Sequence, residues 1–520
     1  MYSDVRILWE SLYRGLIHSS IMSRDLNEGR IQLKTRSRSQ DERLFRSRKE
    51  KEGKSGDADP AVQVEVDNVP GQRYPGHVQE SDTLASVLES QQTVLEDEED
   101  EEEHLQTNIQ SLMNLLKGNI GTGILAMPYA VSNAGILFGT LGIVVVGIIA
   151  THCMNMLINC AHHIKNKTHR QGVDYEDVLE VCFEIAPSPF NKLRKPMKII
   201  ALICLNITQI GFCCVYVLFI GENVRLFVEA FHPPSDVPVQ VYMAVLLVFL
   251  VPFSFIKNLK SLAPFAIFAN LLTMTGIVII LVYCVQDLPP VTTYPLMADF
   301  GRIPLFFGSV VFAFEGISLV IPIEMKMKTP QDFMGMTGVL NTGMVIVMCL
   351  YVAVGFFGYM KFGNAALGSI TLNMPTDHWI YLSVKIMFPI ALFISYGLQF
   401  YVPVCILWPP IEARISSPRW KVWGEYVFRT FLVLFTFALA AVIPHLELLI
   451  SLIGALSSSS LALIFPPIIE IATYWPDNKL GRYKWMLWKD ILIVVFGLLG
   501  FVTGTFVSLK EIIVAFSSGK

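Results

Sequence analysis

Apolar runs of about 20 residues recur from Ile109 almost to the end of the chain. That is the length an α-helix needs to cross a hydrocarbon core of ~30 Å. The runs cover Ile109–Asn133, Leu137–Cys160, Ile199–Ile220, Val241–Phe255 and Leu262–Val285. They continue over Pro304–Ile323, Gly338–Tyr359, Ile380–Leu407, Tyr426–Ile443, Leu448–Thr473 and Ile491–Leu509. The pattern predicts an all-α multi-pass membrane protein of about eleven transmembrane helices.

Two of these spans carry helix-breaking stretches, Gly118-Asn119-Ile120-Gly121-Thr122-Gly123 in the first and Phe312-Ala313-Phe314-Glu315-Gly316 in the sixth. Lipid penalises unpaired backbone groups by several kcal/mol each, so a break at membrane depth is buried in protein or wetted. Four spans lie between them, and this offset of five puts the two broken helices in opposite orientations. This is the requirement of an inverted five-plus-five repeat with discontinuous helices 1 and 6 and a site between the repeats. The eleventh span is then one extra C-terminal helix.

The glycines of the first break permit close approach of a ligand. A helix resuming at Ile124 leaves the amides of Gly121, Thr122 and Gly123 at its positive end, suited to a carboxylate, with Asn119 and the Thr122 hydroxyl beside them. A lone set of such glycines suits close helix packing equally well. The matching break in the other half favours a site. There, the unwound backbone of Phe312, Phe314 and Gly316 offers carbonyls to an ammonium. Glu315 is the candidate proton-coupling residue, because a carboxylate at a helix centre costs roughly 2.5–3.5 kcal/mol on insertion scales and normally faces a cavity or partner. One pole for each charge describes a zwitterionic amino acid. Lys117, Asn270, Lys385 and Glu470 are weaker polar signals within spans, and Ser457 to Ser460 form a small face suited to helix packing.

Charge refines this picture by its placement. Lys and Arg concentrate in alternate loops, including Lys165, Lys167, Arg194, Lys198, Lys326, Lys328, Arg414 and Arg419, whereas the opposite loops carry Arg225, Arg302 and Lys361. The positive-inside rule therefore predicts a cytoplasmic N-terminus and an extracellular or lumenal C-terminus. Residues 1–104 form a hydrophilic tail with a basic tract and the acidic run Glu96–Glu103, a composition that predicts disorder. Within it, Tyr2-Ser3-Asp4-Val5 and Tyr13-Arg14-Gly15-Leu16 resemble tyrosine-based sorting signals. Residues 105–510 are the transmembrane domain and 511–520 a short C-terminal end. The nine cysteines include no C-x-x-C pair, and no His/Cys cluster suggests a metal. No nucleophile–base constellation stands out, so neither an enzyme nor a nucleic-acid binder is expected. The reading calls for no cofactor, and a proton is the candidate coupling ion.

At Leu115-Leu116-Lys117-Gly118-Asn119-Ile120-Gly121-Thr122-Gly123 the chain resembles the proton-coupled amino acid transporters of the amino acid/auxin permease superfamily. The likeness continues through Thr208-Gln209-Ile210-Gly211-Phe212-Cys213, Phe312-Ala313-Phe314-Glu315-Gly316-Ile317, Gly368-Ser369-Ile370-Thr371-Leu372-Asn373 and Gln399-Phe400-Tyr401-Val402-Pro403. The resemblance implies a LeuT-type fold in the plasma or lysosomal membrane and transport of small neutral amino acids such as glycine, alanine and proline. It also implies, for some members, signalling to growth control. Three departures stand out. Asn114 occupies the place where relatives often carry a His associated with proton coupling, Ala126 and Met127 replace the usual Gly and Leu, and paired outer-loop cysteines are missing. A rival expectation is an amino acid sensor with slow transport, whose long charged tail recruits cytoplasmic signalling partners.

Overall fold

The computed structural model describes residues 105–168, 174–188, 190–231, 237–257, 263–443, 445–477 and 479–517. The tail expected over residues 1–104, with its sorting-like motifs, lies outside the described residues. Described residues of the transmembrane region fall in one compact unit within His104–Leu480 and Met486–Lys520, with Gly481–Trp485 outside it. Among the described residues the secondary structure is helical, and β pairing is limited to a single isolated bridge between Gln106 and Met327.

The first span opens with α1 (Asn108–Asn119), capped by Thr107 and Gln110, each side chain bonding the other's backbone amide. It is followed by α2 (Thr122–Leu125) and α3 (Met127–Ala134). Then come α4 (Ile136–Thr168), α5 (Tyr175–Ile185), α6 (Arg194–Glu229), α7 (Val239–Ser254) and α8 (Ala263–Cys284). The sixth expected span is split into α9 (Ile303–Ala313) and α10 (Ile317–Met325). Beyond it lie α11 (Val339–Phe362), α12 (Ile370–Asn373), α13 (Trp379–Glu412), α14 (Pro418–Val442), α15 (Leu446–Ile453), α16 (Phe465–Tyr474) and α17 (Trp485–Ser517).

Among the described residues, nine helical runs are long and apolar enough to cross a membrane. The two remaining expected spans are the broken α1–α3 segment and the 16-residue α7. Burial separates central from peripheral runs. The apolar windows of Phe300–Met325 and Leu446–Tyr474 are 83% and 89% buried, against 22% for Phe265–Cys284 and 28% for Arg482–Ser517. The last two present Leu271, Val278, Leu492, Val502 and Phe506 outward, as helices bathed in lipid do.

The most buried runs are also the irregular ones. α15 and α16 are joined by two successive π turns, Gly454–Ser458 and Ser460–Ile464, a form often found at functional sites. Gly454 allows this stretch to press on the Gly308 carbonyl of α9, where a methyl group would clash with backbone.

Candidate functional site

Both expected breaks are present. At the first, Ile120 takes an extended conformation (φ −83°, ψ 91°) and α2 begins at Thr122, two residues earlier than the sequence suggested. This shifts the free amides. The Gly121 N–H donates to the Asn119 carbonyl at 3.1 Å, so the opening amides of the new helix, those without intrahelical acceptors, are Thr122, Gly123 and Ile124. At the second, α9 ends at Ala313 and α10 begins at Ile317. Between them the Phe312 carbonyl accepts from Glu315 N–H at 3.4 Å and the Phe314 carbonyl from Gly316 N–H at 3.0 Å.

The breaks pack directly on each other. A methyl group on Gly123 would sit 2.6 Å from Ala313 Cα, and one on Gly316 would sit 2.7 Å from Asn119 Oδ1. Only glycine lets the two irregular segments approach so closely. Tyr351 of α11 completes the junction. Its hydroxyl lies 2.5 Å from the Asn119 carbonyl oxygen and 2.7 Å from that of Ala313, and its ring packs on Phe314 with centroids 4.9 Å apart.

Between the breaks is a cavity of about 10 Å³, room for about one water. From the sequence-expected residues it gathers Asn119, Gly121, Thr122, Gly123, Phe312 and Glu315. Phe314 and Gly316 stand behind this wall, packed on Tyr351 and Asn119 respectively. Three lining residues escaped the sequence reading: Phe212 and Tyr216 of α6 and Gln399 of α13. Phe212 packs against Phe312 with ring centroids 4.7 Å apart and planes tilted by 48°.

The polar atoms around this cavity are under-satisfied. Asn119 Oδ1 and Thr122 Oγ1 are buried with no hydrogen-bond partner, and the buried Glu315 carboxyl has only the Ser458 hydroxyl, from the first π turn, beside it. Buried polar groups normally pair, because an unmade bond costs about 1–3 kcal/mol. Several orphans converging on one cavity suit a site that binds a polar ligand.

Residues 104–510 match the family described as transmembrane amino acid transporter protein. The chain belongs to this family. It is 35% identical over 417 residues to the proton-coupled amino acid transporter-like protein pathetic of Drosophila melanogaster, covering 80% of this chain and 88% of that one. It is 27% identical over 425 residues to the probable amino acid transporter skat-1 of Caenorhabditis elegans, covering 79% and 91%. Amino acids are therefore the substrate class that the family implies.

The weaker polar candidates take separate places. Lys117 and Asn270 line a second small cavity with Met113, Leu116, Ile120, Thr273 and Met274. Lys385 is fully buried and donates to the Thr371 carbonyl at 2.7 Å, so it does not reach outward to water. Asn114 donates to Gln106 Oε1 at 2.8 Å on the exposed side of α1. Glu470 pairs with Lys489 at 2.6 Å.

Proposed function

We propose that this protein is a secondary transporter that carries small neutral amino acids, of the glycine, alanine and proline type, by alternating access in a LeuT-type five-plus-five arrangement. The substrate carboxylate meets the amides of Thr122 and Gly123 at the start of α2, with Gly121 leaving room for it and the Thr122 hydroxyl and Asn119 Oδ1 alongside. The ammonium meets the carbonyl side of the second break, at Phe312 and Phe314. Phe212, Phe312 and Tyr216 enclose the side chain, and Glu315 carries the coupling proton. The N-terminus is cytoplasmic, and the membrane is the plasma or the lysosomal one.

The observation that carries this reading is the direct packing of two helix breaks around unpaired buried polar atoms. The small cavity fits a closed state, which must widen to admit a substrate. Uptake of a radiolabelled amino acid panel at acidic and neutral pH, with and without Met1–Glu103, tests it. Saturable flux that survives loss of the tail supports the transporter. Saturable binding with negligible flux supports the sensor instead.

A further inference from the structure

A second buried polar group stands apart from the cavity, where α4, α16 and α17 meet. Lys489 Nζ donates to Glu470 Oε2 at 2.6 Å and lies 3.1 Å from His152 Nε2, with Met156 Sδ at 3.6 Å. Asp490 Oδ1 is also 3.1 Å from this ammonium. The side chains of Lys489, Glu470 and Asp490 are 12%, 8% and 0% exposed. The other titratable neighbours are Cys153 and Cys160 of α4.

Charge counting decides the state of this cluster. Lys489 is an ammonium, because it is surrounded by acceptors, and a neighbouring imidazole that accepts from it is neutral. Two ionised carboxylates would then leave one net negative charge buried among apolar helices, which is expensive. Glu470 has the short ammonium bond that stabilises its charge. Asp490 is the more deeply buried of the two, and its contact with the ammonium is the longer one, 3.1 Å against 2.6 Å. No group of three or more His, Cys, Asp or Glu able to hold a metal ion occurs among the described residues, so a proton is the cation that fits.

We infer that Asp490 holds a bound proton, making the His152–Glu470–Lys489–Asp490 cluster a proton-binding site separate from the cavity between the breaks. The site neutralises the joint that fastens α17, the helix outside the expected repeat, to α4 and α16. It lies on the same run as Ser458, which borders Glu315, so this run touches both carboxyl sites.

Infrared spectra of the purified full-length protein at neutral pH test this. The wild type shows protonated-carboxyl intensity that Asp490→Asn diminishes and Glu315→Gln does not remove in full. Glu470→Gln also loses Asp490's share, because one carboxylate then balances one ammonium. Undiminished protonated-carboxyl intensity in Asp490→Asn would overturn the inference. So would a sodium-dependent rise in melting temperature that Asp490→Asn abolishes, which would assign the cluster to a metal cation.

Discussion

The Tyr351 hydroxyl lies within hydrogen-bond distance of both the Asn119 carbonyl, at 2.5 Å, and the Ala313 carbonyl, at 2.7 Å. A hydroxyl has one proton, so it donates to either of the two breaks in turn. Tyr351→Phe keeps the ring against Phe314 but leaves a buried carbonyl without its donor. The expected cost is about 1–3 kcal/mol. It is read as a lower melting temperature together with slower uptake at saturating substrate. A variant as stable and as fast as the wild type would show that the hydroxyl does not hold the breaks.

Glycine substitutions separate packing from binding. Gly123→Ala places a methyl group against the Ala313 backbone, which cannot move aside cheaply, so about 1–3 kcal/mol of overpacking and loss of uptake are expected. Gly121→Ala meets only the Tyr216 hydroxyl, at 3.6 Å. That protein is expected to remain folded while its apparent substrate affinity falls, because the methyl takes cavity space. Melting curves and concentration-dependent uptake of both variants measure the difference.

Glu315→Gln tests proton coupling. The amide keeps the size of the side chain beside Ser458 but cannot exchange a proton. Substrate-evoked acidification is expected to vanish while substrate binding persists. Acidification that survives the substitution would remove Glu315 from the coupling role.

A surface ion pair gives a pH-dependent contrast. The Lys167 ammonium donates to Asp477 and holds its carboxyl below the usual value, against the opposing effect of burial, with His163 on the same carboxylate. A depressed carboxyl contributes stability above its unfolded pKa and loses it as pH falls through the folded one. Both side chains are partly exposed, so the contribution is under ~1 kcal/mol. Asp477→Asn should lower the melting temperature slightly at neutral pH. The difference should shrink once pH falls below about 4.

The spans and both breaks were legible because lipid leaves few ways to satisfy a backbone. A glycine cluster or a carboxylate inside an apolar run therefore stands out. Tyr351 was not legible, since it sits in an apolar run like any interfacial or core tyrosine and acquires meaning only from the carbonyls it faces across α11. Phe212, Tyr216 and Gln399 were hidden for the same reason, although two of the stretches that carry the family likeness contain Phe212 and Gln399. The π turns around Ser457 to Ser460 read as an ordinary small-residue face. Three of these serines bond carbonyls of their own helix, and only Ser458 is left toward Glu315. The restart of the helix at Thr122 in place of Ile124 reflects the limited power of glycine alone to fix where a helix resumes.

The central claim is that an amino acid binds between the two breaks. The most direct measurement is protection of Thr122→Cys from a small thiol reagent, in full-length protein whose exposed Cys349 and Cys405 are replaced by serine. A transported amino acid is expected to slow labelling, half-maximally at the concentration that half-saturates uptake. Labelling that is indifferent to substrate while uptake saturates would place the site elsewhere.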